Sequence, residues 1–525
     1  MTPSGQNTAA APVTARRGTL ANRRGNGVPT IGAGWPGWML AGTALAFWPR
    51  LPLDAYEPVK LGFAALLCGL GLLLRFPMRT RRAARVSALA LLLLLPGAWL
   101  ALDFQTYWLG SPQRAQGALA LLLVLGIGAC VTATVATRQA LQTAAVWTTL
   151  ALALLALAQW AGFDALRTGA ERPVATLGSP LLLGQWLLLA LPLCALAAWR
   201  GPRPGLARLA TVLGLLALLA SGARGAWLAL LLVGLGATIT TQVRARWRWP
   251  ATLLGLLLCG ALAVGTAVQR PASLEHRLQL WEGGLRALAQ PPATLGPEAE
   301  RDPWTRWRLW FGYGADLEVL PLRQTAAASL AQHGADPDRA HQLVLDLLLR
   351  HGLWGLALAL SAILLWQRQL RRHAAADRAW HLTAVSALLA WLLSLQTAFA
   401  LSADALLAAL LAGSLGPVTA TAAPDAPATR GRITGVLLLS AVLVCWWLPP
   451  ASIGPDWRRP EQALLAFDAA RQDLQSAPPA PAGCTAVRSA LAHLEVARRL
   501  DPWRPEYASA RLEVRAALAD RCAND

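Results

Sequence analysis

The strongest constraint on this chain is a series of apolar runs, each of roughly the length that a helix needs to cross a lipid bilayer. An α-helix rises about 1.5 Å per residue, so about 20 apolar residues span a hydrocarbon core of ~30 Å. Only 14% of the 525 residues are charged, which is too little polar surface for a soluble chain. The sequence therefore predicts an all-α, polytopic transmembrane helical bundle. Twelve to thirteen runs are present, at about 34–50, 58–76, 85–103, 116–136, 139–161, 181–199, 205–221, 224–242, 249–268, 352–369, 379–398, 400–417 and 433–449.

The basic residues indicate how this bundle is oriented. A net charge of +19 raises the alternative of a nucleic-acid partner, but such a partner requires one contiguous basic surface, and the arginines instead form short clusters between the apolar runs. If the N-terminus is cytoplasmic, the clusters at 75–85, 200–208, 244–248 and 368–378 all fall on the cytoplasmic side, as the positive-inside rule requires. We therefore predict a multi-pass protein of the bacterial inner membrane without a nucleic-acid partner.

Five segments follow from this alternation. We predict a disordered cytoplasmic tail at 1–33, spans 1–9 at 34–269, a large periplasmic loop at 270–351, spans 10–13 at 352–449 and a periplasmic helical tail at 450–525. The tail has helical stretches at 460–474 and 484–520, the second of which resembles a tetratricopeptide unit.

The cysteines agree with this topology. Most of the seven lie within apolar runs, whereas Cys484 and Cys522 lie in the periplasmic tail. Because an oxidising compartment favours disulfides, we predict a Cys484–Cys522 bond. The chain has no metal-ligand spacing, so we predict neither a metal nor a cofactor.

Arg224 is the first candidate site residue. It lies in SGARGAW, where one apolar run ends on the periplasmic side and the next begins. A guanidinium so close to hydrocarbon is costly unless it is paired, although it could also snorkel to the outer headgroups. Arg172, just before another run, is a second cation on the same side. We interpret both as candidate ligand-binding residues.

His341 is the second candidate, in the stretch DRAHQLVLDLLLRHGLWG. The sequence predicts a helix that starts at this histidine, with Asp338 as its N-cap. A single histidine at a helix start is more often structural, but charged residues gather around this one. They are Asp338, Arg339, Asp346, Arg350 and His351.

A third group lies on a predicted surface helix of the periplasmic loop, in HRLQLWEGGLRAL. Arg277 and Trp281 are four residues apart and share a helix face, and Arg286 adds another cation, although simple solvation of a basic edge is an equal alternative. An apolar stripe runs along this helix, so we interpret it as a helix that lies on the outer surface with a basic edge. The members of the stripe are Leu278, Trp281, Leu285 and Leu288.

Arginines at an outer membrane face suit one kind of chemistry. A guanidinium binds phosphate oxygens through a planar fork and stays charged. It could hold a lipid-linked diphosphate and offset the negative charge that develops as the diphosphate leaves. A histidine beside it could orient or deprotonate an acceptor hydroxyl.

Four motifs in order along the chain resemble those of the O-antigen ligase and polymerase family of bacterial membrane proteins. RPVATLGSP resembles the family's Arg-Pro-x-Gly-Thr-x-Gly-Asn-Pro segment, and SGARGA resembles its Ser-Arg-Gly-Ala segment. HRLQLWEGG, followed by GYG, resembles its Arg-x-x-x-Trp helix and Gly-x-Gly turn. AHQLVLD, followed by GLWG, resembles its Ala-His-Asn segment with the later Leu-Asp and Gly-x-x-Gly. The chain departs from these patterns at Ala175, Ser179, Ala223 and Gln342.

The resemblance implies a metal-independent, inverting glycosyltransferase of lipopolysaccharide biosynthesis. It would transfer a glycan from undecaprenyl diphosphate to a hydroxyl of lipid A–core or another surface acceptor, at the periplasmic face of the inner membrane. The resemblance implies Arg224 and Arg277 as catalytic residues that bind the diphosphate and His341 as the catalytic residue that activates the acceptor. Arg172, Arg286 and Arg339 are the implied substrate-binding residues.

Several alternatives stay open. Within the same family, the chain could be an O-antigen or exopolysaccharide polymerase or a protein O-oligosaccharyltransferase. A transporter of lipid-linked glycans is less favoured, because transporters often carry internal repeats and charges at mid-membrane depth, and neither is visible in this sequence. A non-catalytic scaffold that recruits partners through its tail is the third class.

Overall fold

The computed structural model describes most of the predicted bundle and of the predicted periplasmic loop, and part of the tail. Its described residues are 34–47, 57–74, 78–110, 116–166, 168, 170–240, 253, 257, 271–295, 300–330, 339–373, 377–416, 459–476, 484–500, 510–511 and 514–515. The predicted N-terminal tail, most of the run at 249–268, the run at 433–449, Asp338 and Cys522 lie outside the described residues.

Helices make up almost all of the described structure, so the predicted all-α membrane bundle is confirmed. The helices are α1 (Trp35–Leu45), α2 (Glu57–Leu73), α3 (Thr80–Trp99), α4 (Phe104–Leu109), α5 (Ala118–Cys130), α6 (Val135–Trp160), α7 (Pro180–Arg200), α8 (Pro204–Ser221), α9 (Arg224–Thr240), α10 (Pro271–Ala289), α11 (Arg308–Phe311), α12 (Val319–Leu330), α13 (Leu343–His373), α14 (Arg378–Ser394), α15 (Ser402–Ser414), α16 (Arg459–Ser476) and α17 (Cys484–Leu500).

Five of the described segments are long and apolar enough to cross a membrane. They are Val135–Trp160, Pro180–Arg200, Pro204–Ser221, Leu343–Arg368 and Arg378–Thr397. Of the shorter apolar helices, α15 packs against α7 and α14, and α5 packs against α15 and α3. Of these five segments the most buried is α7, which packs against α6, α8 and α14. Because α7 carries no charged side chain before Arg200, other helices can enclose it without burying a charge.

Polar contacts divide the helix ends into two groups. At one end of the bundle, Arg138 of α6 pairs with Asp377 before α14 at 3.1 Å and donates to the carbonyl of Ser414 at the end of α15. At the other end, the amide of Ser402, which begins α15, donates to the carboxylate of Glu57, which begins α2, at 2.8 Å. The described helix ends therefore fall into two groups, and which group faces the periplasm stays a prediction.

The loop after α9 folds onto the end of the bundle that carries Glu57. It contains α10, α11, α12 and a two-residue antiparallel ladder in which Thr294 pairs with Arg301 and Leu295 with Glu300. Arg308 ties the loop to the bundle: its guanidinium is fully buried and bonds both carboxylate oxygens of Asp302 at 2.8 Å. The same guanidinium donates to the carbonyl of Leu100, just after α3, at 2.9 Å. A buried ion pair is tolerated only when its other hydrogen bonds are also satisfied, and Arg308 meets this condition.

The Gly-x-Gly turn of the loop crosses a break in α13. Gly352 has φ 62° and ψ −163°, which interrupts the helix and frees carbonyls in the turn before it. The amide of Tyr313 donates to the carbonyl of Leu349 at 2.7 Å, and the amide of Gly314 donates to that of Arg350 at 3.0 Å. A Cβ on Gly352 would overlap the carbonyl group of Trp310. The break therefore couples the loop to the helix that enters the membrane.

Replacing Gly352 with Ala should destabilise the protein. The backbone conformation of Gly352 is one that only glycine adopts readily, so a side chain costs about 1–3 kcal/mol from strain alone, and the contact with Trp310 adds to it. We expect a lower thermal unfolding midpoint of the detergent-solubilised protein. The control is Gly234→Ala in α9, where an added Cβ meets nothing within 4 Å. Equal midpoints for both variants would contradict the proposed coupling.

The described part of the tail is a helical hairpin. Helices α16 and α17 agree with the predicted helical stretches, and they pack through Ala470, Val487, Ala490 and Leu494. Cys484 is disulfide-bonded, but its predicted partner lies outside the described residues, so the pairing itself stays a prediction. The tetratricopeptide-like character of the tail also stays a prediction.

Candidate functional site

The candidate site forms around a turn between α14 and α15. This turn, residues 395–399, begins with a 3₁₀ helix at Leu395–Thr397 and continues through Phe399. The segment that carries His341 lies against it on one side, and the start of α9, which carries Arg224, lies against it on another. Residues predicted from separate motifs are therefore brought to one end of the bundle, the end that also holds Glu57 and the loop.

His341 contacts the turn through its ring. The imidazole centroid lies 5.0 Å from the ring centroid of Phe399. The backbone of His341 has φ 54°, a left-handed conformation that is uncommon for residues other than glycine and that marks many functional sites. The residue is half-buried, so it is partly exposed as well as packed against Phe399.

Both backbone polar groups of Ala340, the residue before His341, are hydrogen-bonded. The indole Nε1 of Trp281 in α10 donates to the carbonyl of Ala340 at 3.0 Å. The amide of Ala340 donates to a carboxylate oxygen of Asp346 in α13 at 2.9 Å. Thus the Arg-x-x-x-Trp helix and the later Leu-Asp of the sequence motifs both act on the residue before His341, and both orient the histidine that follows it.

The helix that follows begins later than the sequence predicted. Helix α13 starts at Leu343, because the positive φ of His341 is incompatible with a helical residue. Gln342 provides the cap: its side-chain oxygen accepts from the amide of Leu345, and its Nε2 donates to Gln396 of the turn at 3.1 Å. The departure from the family's Asn at position 342 therefore preserves a capping amide and adds a contact to the turn.

Arg224 and Arg172 lie together on the other side of the turn. A Cβ on Gly225 would overlap the hydroxyl oxygen of Thr397, so the start of α9 is in close contact with the turn. A Cβ on Gly222, two residues before Arg224, would lie 3.4 Å from Nη1 of Arg172. Both arginines are half-buried and each interacts with other groups of the protein. Two guanidinium groups thus occupy adjoining segments.

Buried polar contacts fix the segment that carries Arg172. Lys60 of α2 is fully buried and donates to the carbonyl of Thr176 at 2.8 Å. The side-chain oxygen of Gln159 accepts from the amides of Val174 and Ala175. Ala175 has φ 48°, which is the physical reason why a glycine suits this position in the family pattern. These contacts hold the backbone of the segment in one conformation.

The remaining departures from the family pattern keep their local roles. Ser179 replaces an Asn and caps α7, because its hydroxyl accepts from the amide of Leu181 at 3.3 Å. Ala223 is buried, and its amide donates to the hydroxyl of Ser221 at 3.2 Å, so this junction still has a serine that satisfies a backbone group. The four substitutions are therefore compatible with an intact site backbone.

Arg339 belongs to a buried ion cluster beneath the site. It is 2% exposed and pairs with Asp316 at 2.9 Å and with Glu318 at 3.6 Å. Arg350 pairs with the same two carboxylates at 3.3 and 2.6 Å. Burial lowers the pKa of the Arg339 guanidinium, and the charge of Arg350 lowers it further, while the two carboxylates act in the opposite direction. This geometry favours a positioning role for Arg339 rather than the predicted contact with substrate.

Arg277 and Arg286 lie on different faces of α10. Arg277 shares the face of Trp281, which approaches Ala340, and burial lowers the pKa of its guanidinium. Arg286 lies about half a helical revolution away, is exposed and forms an ion pair with Glu282. The structure therefore brings Arg277 toward the His341 segment and does not bring Arg286 there.

The apolar stripe of α10 is not uniformly buried. Leu278 and Leu285 are exposed, whereas Leu280, Ala287 and Leu288 are buried. The reason is the pair Gly283-Gly284: a Cβ on Gly283 would meet Ala326 of α12, and a Cβ on Gly284 would meet Leu345 of α13. The buried face of α10 is therefore the one on which the two glycines let α12 and α13 pack closely against its backbone, rather than the one with the largest side chains.

Several site residues were missed by reasoning from the sequence. Asp316 and Glu318 lie in GYGADLEVL, the stretch that begins with the Gly-x-Gly turn, and the two arginines near His341 were the available signal for an ion cluster. The turn at 395–399 gave no signal, because its residues are ordinary for the end of a span. Lys60 lies inside the apolar run at 58–76, and a lysine there is a reason to expect a buried partner.

The fold and site together define a polytopic helical membrane protein with a cluster of arginines and a histidine at one end of its bundle. Residues 209–360 match the family model for O-antigen ligase. This match supports a membrane protein of the O-antigen ligase family, and the matched region includes Arg224, Arg277 and His341. No curated protein matches the chain.

Proposed function

We propose that this protein transfers a glycan from undecaprenyl diphosphate to an acceptor hydroxyl at the periplasmic face of the inner membrane. The observation that carries the proposal is the meeting of the Arg224 and His341 segments on the turn at 395–399. Arg172 beside Gly222 adds a second guanidinium to the arginine side. The family match supports a glycosyltransferase of the O-antigen ligase type, with a lipid-linked glycan as one partner and an acceptor as the other.

In the proposed reaction, the acceptor hydroxyl oxygen attacks the anomeric carbon of the donor glycan. His341 takes the hydroxyl proton, and the bond between the anomeric carbon and the diphosphate oxygen breaks with its electron pair on the leaving group. Arg224, Arg172 and Arg277 hold the diphosphate and offset its developing charge. Attack from the side opposite the leaving group inverts the anomeric configuration, and undecaprenyl diphosphate is released.

The acceptor side is proposed to be lipid A–core. Polymerisation of the glycan and transfer to a protein hydroxyl would use the same arginines and the same base, so these reactions of the family differ only in the acceptor. The orientation and the inner-membrane location rest on the asymmetry of the arginine clusters between the two ends of the bundle.

An in vitro transfer assay tests the proposal. The purified full-length protein is incubated with glycan-linked undecaprenyl diphosphate, and lipid A–core, free glycan or a serine-containing protein is offered as acceptor. We expect the glycan to be attached to lipid A–core with an inverted anomeric configuration. One undecaprenyl diphosphate should be released for each glycan transferred, and a metal chelator should leave the transfer rate unchanged. Movement of the donor across a vesicle membrane without transfer to any acceptor would instead identify a transporter.

Trp281→Phe should weaken catalysis without removing it. The substitution deletes the hydrogen bond from Nε1 to the Ala340 carbonyl, worth about 0.5–1.5 kcal/mol, and loosens the peptide that orients His341. We expect kcat to fall about tenfold, since small misplacements of a catalytic group slow reactions strongly, with little change in the donor KM. The matched control is Trp307→Phe on the exposed surface of the same loop. Equal kcat values for Trp281→Phe and the wild type would contradict this positioning role.

A further inference from the structure

At the end of the bundle opposite the candidate site, α3 begins with four arginines around one cavity. The cavity has a volume of about 520 Å³ and is lined by Arg79, Arg81, Arg82 and Arg85. The backbone amide of Arg79 donates to the carbonyl of Cys130, which ends α5, so the cavity lies beside the junction of α3 and α5. Among the described residues, no carboxylate forms an ion pair with any of the four.

Positive charge at this end of the bundle does not by itself make a binding site, and the other arginines there illustrate the difference. Arg138 is buried and neutralised by Asp377 at 3.1 Å. Arg200 lies over the ring of its neighbour Trp199, 4.3 Å from the centroid. Neither belongs to the four-arginine cavity. Four guanidinium groups that line one cavity instead form a concentrated set of donors for phosphate oxygens.

The cavity continues into a lipid-facing stripe of the same helix. Arg81 and Arg85 are exposed, and at helical spacing their face continues through Leu89 and Leu92, which are 58% and 61% exposed. Leu95 and Trp99 extend the stripe toward the other end of the helix. The same surface therefore offers charge to a headgroup and, directly above it, apolar side chains to acyl chains.

We propose that Arg79, Arg81, Arg82 and Arg85 bind the phosphate headgroup of an anionic phospholipid whose acyl chains lie along Leu89 and Leu92. The exposed leucines of the same helix face place acyl chains directly beside the four guanidinium groups, so we commit the site to a phospholipid headgroup rather than to a free phosphate. This site is separate from the glycan-transfer site and does not depend on the proposed function.

Lipid retention by the full-length protein tests this proposal. The protein is reconstituted in phosphatidylcholine bilayers with or without phosphatidylglycerol of the same acyl chains and is then extracted in mild detergent. Native mass spectrometry identifies the lipids that remain bound to it. We expect the wild type to retain phosphatidylglycerol in preference to phosphatidylcholine. Because one basic residue near an anionic lipid surface strengthens binding roughly fivefold, the triple substitution R81Q/R82Q/R85Q should lower retention by at least about tenfold.

The matched control is R200Q/R203Q/R208Q, which removes the same charge from the end of α7 and the start of α8. Helix α8 also carries exposed leucines, namely Leu209, Leu215, Leu216 and Leu219, but these three arginines are not among those that line the cavity. We expect the control to retain phosphatidylglycerol within about twofold of the wild type, since the remaining arginines still supply the general attraction of a basic surface to anionic lipid. Equal loss in both triple variants would reduce the site to a general surface charge and overturn the proposal.

Two further measurements separate the remaining outcomes. Single variants Arg81→Gln and Arg85→Gln change exposed residues, and each should lower retention severalfold even if the triple variant is not recovered. Unchanged retention in both single variants would overturn the proposal. Inorganic phosphate should not displace the bound lipid, and displacement at equal concentration of phosphate and lipid would identify a free-anion site instead.

Discussion

Replacing His341 with Gln should lower kcat for glycan transfer by about 100- to 10,000-fold, the range expected when a positioned general base is lost. Glutamine keeps a polar side chain of similar size but cannot take the acceptor proton. The donor KM should change little, because the diphosphate is held by the arginines on the other side of the turn. Steady-state kinetics of the purified protein with varied donor measure both parameters.

The control for this prediction is His493→Gln, which removes a histidine paired with Asp473 at 3.0 Å in the tail hairpin. This variant should transfer glycan at the wild-type rate. A purely structural role for His341 would lower the unfolding midpoint and leave the shape of the pH–rate profile unchanged. The proposed base predicts an unchanged midpoint and the loss of the limb of the profile that reports deprotonation of the base.

The fold class was predictable from the sequence because the bilayer imposes a simple rule on length and polarity. Runs of about 20 apolar residues must be helices in lipid, since their backbone groups have no other partner. The start of α7 at Pro180 and that of α9 at Arg224 lie within a residue of their predicted positions. The arginine clusters predict two groups of helix ends, and Arg138 and Asp377 pair at one end of the bundle, but the orientation of that end stays a prediction.

The candidate site was predictable only in part, because its geometry depends on contacts between distant segments. Motifs indicated His341 and Arg224 as residues, but nothing in the spacing of 117 positions between them indicates that both lie against one turn. The positive φ of His341 also has no signal in a non-glycine residue. It arises because Trp281 and Asp346 fix the preceding residue, and both contacts are tertiary.

The ion cluster illustrates why a residue type does not determine a role. Arg339 and Arg224 are both arginines beside the site, and the sequence predicted ligand contact for each. Arg339 is enclosed with Asp316 and Glu318, so its charge is already compensated within the protein. Removing one member of such a buried cluster leaves an uncompensated charge, which is why Arg339 is a poor choice for testing substrate binding.

Replacing Arg224 with Gln should lower kcat by about 100- to 1,000-fold, as expected when one donor to the developing negative charge is lost. Arg172→Gln should have a similar effect, because Arg172 lies against Gly222 in the same pair of segments. If both guanidinium groups hold one diphosphate, the double variant should be less impaired than the product of the two single effects. Arg224→Lys should have a kcat close to that of Arg224→Gln, since lysine keeps the charge but not the planar fork. Transfer rates at saturating donor measure these effects.

The control for this series is Arg286→Gln, which removes an equal charge from the exposed face of α10, where Arg286 pairs with Glu282. An i,i+4 pair on a helix surface contributes only about 0.3–0.5 kcal/mol, so this variant should be as stable as the wild type and as active. A loss of activity in Arg286→Gln equal to that in Arg224→Gln would mean that general positive charge attracts the donor. Full activity in Arg224→Gln and Arg172→Gln would remove the proposed diphosphate site, because that site is built on these two arginines and their adjoining segments.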